Sequence, residues 1–108
     1  MTPADAFLAR GAMLRGIRSA PSRFGTHPPA LWLGSREIAH LHRDEVEVRL
    51  TRAGIRALRA ELLSDARIER RRPSSDWVRI RLRGEADVER ALELTRTAIR
   101  RNRGRGAV

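Results

Sequence analysis

The sequence has 108 residues, no cysteine and a formal net charge of +10 at neutral pH. This length suits one domain with a single core, and the missing cysteines exclude thiol catalysis, disulfides and cysteine-ligated zinc. No apolar run approaches the roughly 20 residues of a membrane-spanning helix, and the N-terminus lacks a signal-peptide pattern, so we expect a cytoplasmic protein without membrane contact.

The positive charge comes entirely from arginine and is uneven along the chain. All 23 basic residues are arginines, and residues 51–83 hold ten of them against four acidic residues. Exclusive use of arginine is typical of a high-GC coding sequence, so the charge alone indicates nucleic-acid binding only weakly. Its distribution predicts that one side of the fold is basic.

The first half of the chain carries signals for a helix followed by strands. Thr2 is a good N-cap, with a proline and Asp5 in the first turn, and we predict a helix over 3–18. Three prolines and a glycine within 19–29 predict a loop. Apolar and polar residues alternate over 30–50, which predicts a three-stranded antiparallel meander.

The second half of the chain carries clear signals for where helices and strands begin and end. Thr51 is an N-cap at the junction of strand and helix, and Gly84 ends the strand that precedes the final helix. The elements predicted here are a helix over 52–64, a short strand over 68–72, the clearest strand over 77–82, a helix over 85–101 and a basic tail over 103–108.

These elements predict one α+β domain over residues 1–102. Antiparallel strands with helices gathered on one face form a two-layer sandwich. The sheet would consist of the three-stranded meander plus a C-terminal strand or hairpin, in the order α-β-β-β-α-β-α.

Two histidines on one predicted strand are the sharpest chemical feature. His40 and His42 share one strand face with Ile38, and their Cα atoms are about 6.5–7 Å apart. His27 could approach from the loop, and Asp44 could contribute oxygen, so these four polar residues are the catalytic candidates. A polar pocket, a metal site and a structural hydrogen-bonded pair all remain open. We expect no metal and no organic cofactor.

The residues that would line a ligand pocket beside these histidines are Trp32, Glu37 and Trp77. Large aromatic side chains in a small domain usually belong to the core, but a tryptophan can also line a pocket. No nucleophile triad, phosphate-binding loop or dinucleotide fingerprint occurs in the sequence.

An alternative function is the binding of nucleic acid or another polyanion. Trp77 lies on the same predicted strand face as a row of arginines, an arrangement that can stack a base and neutralise phosphates. Cross-strand pairing of those arginines with Glu45 and Glu47 would instead give an ordinary solvated surface. A protein-interaction domain without a pocket is a third alternative. The candidate polyanion-binding residues are Arg71, Arg72, Arg79, Arg81, Arg83, Arg100, Arg101 and Arg103.

Three segments carry a resemblance to a known family. FGTHPPALWLGSREIAHLH, VRLTRAGI and SDWVRIRLRGEADVERALELTR lie within residues 24–102, roughly three quarters of the chain. They resemble the small actinobacterial proteins called luciferase-domain proteins, which share a domain with fungal luciferases. The residues that match the fungal-type hairpin are Glu37, Ile38, Ala39, His40, His42 and Asp44.

Two departures from the fungal-type pattern bear on activity. That pattern continues with a further histidine on the next strand and a Gly-Trp-Gly-rich segment ending in histidine. This chain has Glu45 to Val48 in the first place and nothing similar to the second. The resemblance implies oxygenation of a pyrone luciferin, but because of these departures we do not predict light emission.

A looser similarity links the chain to the MmcQ/YjbR-like double-wing fold. It also implies an α+β architecture, and by analogy of fold it slightly favours the polyanion alternative. Our first expectation remains a luciferase-domain protein with a small polar ligand pocket around the EIAHLH hairpin. The sequence leaves open whether the protein is an enzyme and which oligomeric state it adopts.

Overall fold

The computed structural model describes residues 1–70, 72 and 74–106, and side chains through residue 103. Within this part of the chain, six strands form one antiparallel sheet. The strands lie in the order β1-β2-β3-β4-β6-β5, so β1 and β5 are the outer strands. The elements in chain order are α1 Pro3–Ala12, β1 Ile17–Pro21, β2 Pro29–Leu33, β3 Arg36–His42, β4 Glu45–Arg49, α2 Arg52–Ala57, α3 Arg59–Ser64, β5 Ile68–Arg70, β6 Trp77–Arg81 and α4 Glu85–Gly106.

The hydrophobic core lies between one face of the sheet and the helices. Val46 and Val48 of β4 are paired with Ile80 and Val78 of β6, and all four side chains are buried. Helix α4 packs across the central strands, and α1 packs against both α4 and β2. The predicted α+β architecture with an antiparallel sheet is therefore confirmed. No described helix is long and apolar enough to cross a membrane.

The predicted N-terminal helix over 3–18 is too long. Helix α1 ends at Ala12, and residues that were predicted as helix end and loop form β1, paired antiparallel with β2. Gly16 has a φ of +82°, a left-handed conformation that cannot continue a helix. Ile17, which lies within the predicted helix, pairs with Leu33. The meander consequently has four strands instead of three.

Two further boundaries differ from the prediction. The helix predicted over 52–64 is interrupted at Leu58, where φ is −102° and ψ is 16°, and becomes α2 and α3. The predicted tail over 103–108 begins as helix, because α4 continues to Gly106. Asn102 is buried, and its Nδ2 donates to the carbonyl of Arg49 at 2.9 Å, which holds this end of α4 to the sheet.

The C-terminal strand is part of a hairpin. Residues 68–70 pair with β6, so the hairpin form of the prediction is the one observed, with shorter strands than the predicted 68–72 and 77–82.

Asp65 ties the end of α3 to the segment before β5 and to α4. Its carboxylate accepts from Arg67 Nε and Nη2 at 2.9 Å each and from Arg90 Nε at 3.1 Å. These bonds, chiefly those from Arg67, lower the pKa of Asp65 to about 2. The unfolded chain lacks them, so there the same carboxyl binds a proton near its ordinary pKa of 3.8. The carboxylate therefore stabilises the fold above pH 4, and this contribution is lost as the pH falls towards 2.

We expect Asp65 to account for on the order of 1–2 kcal/mol of acid sensitivity between about pH 4 and 2. Asp65→Asn should be less stable than the parent at pH 6, and the difference should shrink as the pH falls. Urea midpoints measured at intervals from pH 6 to 2 check this. Parallel curves for the two proteins would show that the carboxylate has no such role.

Candidate functional site

The sheet face opposite the core carries a row of polar and aromatic side chains. The three central strands contribute them in register: His40 of β3 lies opposite Glu47 of β4, which lies opposite Arg79 of β6. Beside this row, Arg49 pairs with Trp77. The alternation that buries the valines of β4 directs the intervening residues to this face.

A β-bulge in β3 brings Glu37 to the same face as His40. Leu31 of β2 pairs with Ala39, whereas the next residue, Trp32, pairs with Glu37, so β3 contains one extra residue. The sequence predicted that Ile38 shares a face with His40, and this was wrong. Ile38 is completely buried and belongs to the hydrophobic core.

Glu37 is the centre of a buried hydrogen-bond network. Its Oε2 accepts from Ser22 Oγ at 2.6 Å, and its Oε1 accepts from the backbone N–H of Arg23 at 2.9 Å. The Nδ1 of His40 lies 2.9 Å from the same Oε2. Ser22 also accepts from the N–H of Phe24 at 3.0 Å, so the network holds the loop after β1 onto the sheet.

The network fixes the protonation pattern of His40. An ionised carboxylate only accepts hydrogen bonds, so Nδ1 of His40 carries the proton that faces Glu37. Burial lowers the pKa of His40, against the opposing effect of the carboxylates of Glu47 and Glu37. The neutral imidazole is thereby favoured, with the lone pair on Nε2, which lies 3.8 Å from Glu47 Oε2.

Aromatic rings surround His40. The ring centroids of Phe24, Trp77 and His42 lie 5.4, 4.9 and 5.1 Å from that of His40. Phe24 and Trp77 meet edge to face at 5.8 Å, and Arg49 lies over Trp77. Phe24 is 41% exposed although its ring contacts this cluster. These rings, called the aromatic cluster below, therefore present apolar surface to solvent.

A depression of about 250 Å³ adjoins the aromatic cluster. Its walls combine one aromatic ring and one carboxylate with three guanidinium groups, and the lining residues are Arg23, Phe24, Ser35, Arg36, Glu37 and Arg49. The depression is thus strongly cationic, with the buried Glu37 at its inner side.

A comparison with protein-family models decides the family. The model described as the Luciferase domain matches residues 35–98, more than half of the chain. The chain belongs to the Luciferase domain family. Searches of curated proteins and of solved structures gave no significant match.

The Luciferase domain match covers part of the site only. It begins at Ser35, so it includes the bulge, both histidines of β3 and Trp77. Ser22 and Phe24, which cover Glu37 and His40, lie before the matched region.

The candidate site residues predicted from the sequence divide into two groups by their position in the fold. His40, His42, Glu37 and Trp77 come together, as the preceding distances show. Two others lie apart: Nδ1 of His27 is 2.8 Å from the carbonyl of Ser22 and steadies the loop, and Asp44 lies 3.8 Å from Arg81 at the hairpin turn. Trp32 is buried opposite Glu37 beneath Arg23, and its Nε1 donates to the carbonyl of Pro21, so it borders the network without joining the aromatic cluster.

Glu47 is the residue whose contact with His40 sequence reasoning missed. It lies opposite Arg79 on the outward face, as predicted, and its carboxylate also approaches His40. A two-residue turn at Arg43 and Asp44 already implies that His42 pairs with Glu45 and His40 with Glu47. Following that register by two residues would have identified Glu47.

The arginines of the polyanion alternative are dispersed. Arg79 and Arg81 each approach Glu45 at 3.8 Å, which gives this part of the face mixed charge. Arg83 follows β6, and its backbone N–H donates to Asp87. Arg72 lines a second depression beside α2, which Trp77 also borders, and Arg71 lies outside the described residues. Arg100, Arg101 and Arg103 are exposed on α4.

Proposed function

We propose that this Luciferase-domain protein binds a small planar aromatic molecule that carries an anionic oxygen. The observation that supports the proposal is the open aromatic cluster beside a cationic depression. Phe24 and the partly exposed Trp77 offer ring surface for stacking, and the imidazole of His40 contacts both rings.

The charge of the depression selects the kind of ligand. Arg23, Arg36 and Arg49 line it, and guanidinium groups bind carboxylates and ionised hydroxyls through charge-assisted hydrogen bonds. Its volume of about 250 Å³ is slightly below the usual range for ligand pockets, about 300–1,000 Å³. A compound of one or two rings therefore fits better than a larger one. Hydroxypyrones with an aryl substituent have both the flat ring system and the acidic oxygen.

The Glu37 network supports this function by positioning Phe24. Ser22 and Arg23 are anchored to Glu37, and the N–H of Phe24 is held by Ser22. The half-exposed ring is thus fixed before a ligand arrives, which reduces the entropic cost of binding.

The test is calorimetric titration with a 4-hydroxy-6-aryl-2-pyrone and with its 4-methyl ether. We expect the ionisable compound to bind more tightly, because only it presents an anionic oxygen to the arginines. Phe24→Ala should weaken binding about tenfold, from the loss of ring contact. Met13→Ala removes a side chain that is 84% exposed just after α1 and should leave binding unchanged.

A short single-stranded oligonucleotide provides the comparison with the polyanion alternative. Binding that falls steeply with salt, together with no binding of either pyrone, would favour the alternative and contradict the proposed function. Equal affinity for the ionisable pyrone and its methyl ether would contradict the role of the arginines.

A further inference from the structure

Three side chains of the β3–β4 hairpin bring possible metal ligands together on the open face. One ring nitrogen from each of His40 and His42 and one carboxylate oxygen of Glu47 all lie within 4.8 Å of one another. In a tetrahedral site with bonds of about 2.0–2.2 Å, ligand atoms are separated by about 3.3–3.6 Å. His40 Nε2 and Glu47 Oε2 are already 3.8 Å apart. Small side-chain rotations would therefore close the set around an ion.

The backbone beneath these ligands is rigid. His40 and Glu47 are a directly paired couple across the hairpin, and His42 lies two residues along the same strand. Both strands are inside the sheet, with β2 on one side and β6 on the other. Sites built on paired strands hold their ligands more accurately than sites on loops.

Glu37 supplies an independent indication of metal binding. Histidine ligands of metals almost always donate their second ring N–H to a carboxylate, a carbonyl or water, and this bond sets the tautomer and the ring orientation. In His40 this bond goes from Nδ1 to Glu37, whose own oxygens also accept from Ser22 and Arg23. Nε2 of His40 is then the coordinating atom, on the side of Glu47.

We propose that His40, His42 and Glu47 bind a divalent transition-metal ion. Two imidazoles and one carboxylate are a donor set that suits Zn²⁺ and related ions, whereas Ca²⁺ and Mg²⁺ prefer oxygen ligands. One oxygen of Glu47 is sufficient for coordination. With three protein ligands the ion keeps an open position for water or a ligand. The exposed His42 provides a route for the ion from solvent.

This proposal departs from the expectation that no metal is involved, which did not consider Glu47 as a ligand. It is independent of the aromatic ligand, since the ion would bind to the hairpin alone. Failure of the pyrone titration would not contradict the metal site, and a lack of Zn²⁺ binding would not contradict pyrone binding.

The test uses the full chain after removal of metals by a chelator. Titration with Zn²⁺ in a calorimeter should give one equivalent of tight binding. Co²⁺ should give visible absorption bands of a four- or five-coordinate ion with nitrogen and oxygen ligands. His42→Ala should weaken Zn²⁺ binding at least about 100-fold, the upper end of what loss of an outer partner costs. Its thermal melt without metal should match the parent, because the side chain is exposed.

Two further variants separate the site from general histidine binding. Glu37→Gln should weaken Zn²⁺ binding about 10- to 100-fold without removing a ligand. His27→Asn changes the remaining histidine but keeps a side-chain N–H for the carbonyl of Ser22, and asparagine tolerates its φ of 61°, so the loop should persist and Zn²⁺ binding should be unchanged. The proposal is overturned if the parent binds no stoichiometric Zn²⁺, or if His42→Ala binds it as tightly as the parent.

Discussion

Glu37→Ala should lower the free energy of unfolding by about 3–5 kcal/mol, the typical effect of breaking a buried ionic network. The side chain is 2% exposed and accepts from Ser22, Arg23 and His40. Its removal leaves Ser22 and His40 buried without their acceptor, and each unsatisfied group costs about 1–3 kcal/mol. Urea denaturation of parent and variant measures the difference.

Glu45→Ala is the matched control for this experiment. Glu45 is also a glutamate of the sheet face opposite the core, but its partners Arg79 and Arg81 are 3.8 Å away and its side chain is 23% exposed. Such pairs contribute about 0–1 kcal/mol. A loss for Glu37→Ala as small as that for Glu45→Ala would mean that the network does not hold the loop after β1.

The Glu37 and His40 contributions should also be strongly coupled. If the two side chains act as one unit, the variant lacking both will be much less destabilised than the sum of the single variants, by about 1–3 kcal/mol. Additive losses would show that each side chain is held by other neighbours.

Leu62→Ala should be comparably damaging, at about 2–5 kcal/mol. Leu62 is 1% exposed and belongs to the hydrophobic core, so truncation leaves a cavity beneath α3. The adjacent Leu63 is 55% exposed, and Leu63→Ala should change the stability by no more than about 0.5 kcal/mol.

Leu62→Ala and Leu63→Ala together test how α3 packs against the core. The two substitutions remove the same atoms and differ only in the face of the helix on which they lie. Thermal and urea unfolding of both variants give the comparison. Similar losses at the two positions would be incompatible with the observed orientation of α3.

The parts of the fold that the sequence predicted well have strong local signals. The turn at Arg43 and Asp44 sets the β3–β4 hairpin, and Thr51 marks the start of α2. Strand β6 alternates cleanly between Val78 and Ile80 on the core face and arginines on the other. In each case the residues that the fold must bury also follow the local pattern of the sequence, so the predicted element agrees with the observed one.

The errors arose where a partner distant in sequence decides the structure. Strand β1 is recognisable only through its pairing with β2, since Ile17 and its neighbours alone fit the end of a helix equally well. The bulge at Ile38 shifts the register by one residue, which exchanges the faces that Glu37 and Ile38 occupy. Local periodicity contains no signal for such a shift.

The candidate site was foreseeable to the extent that it lies on one hairpin. His40 and His42 were identified by their spacing, and their function stays a prediction. Phe24 reaches them only because its loop is anchored to Glu37, a contact between residues more than ten positions apart. The two-residue turn between β3 and β4 already implied that Glu47 lies opposite His40.

The two outer strands have a consequence for how the protein behaves at high concentration. An exposed strand edge can recruit a strand from another molecule and begin aggregation. Here β1 ends at Pro21, which has no N–H to offer a newcomer. At the other edge, β5 is three residues long and includes the exposed, charged Glu69 and Arg70. Both borders of the sheet therefore resist the addition of a further strand, which favours a sheet that ends at its own six strands.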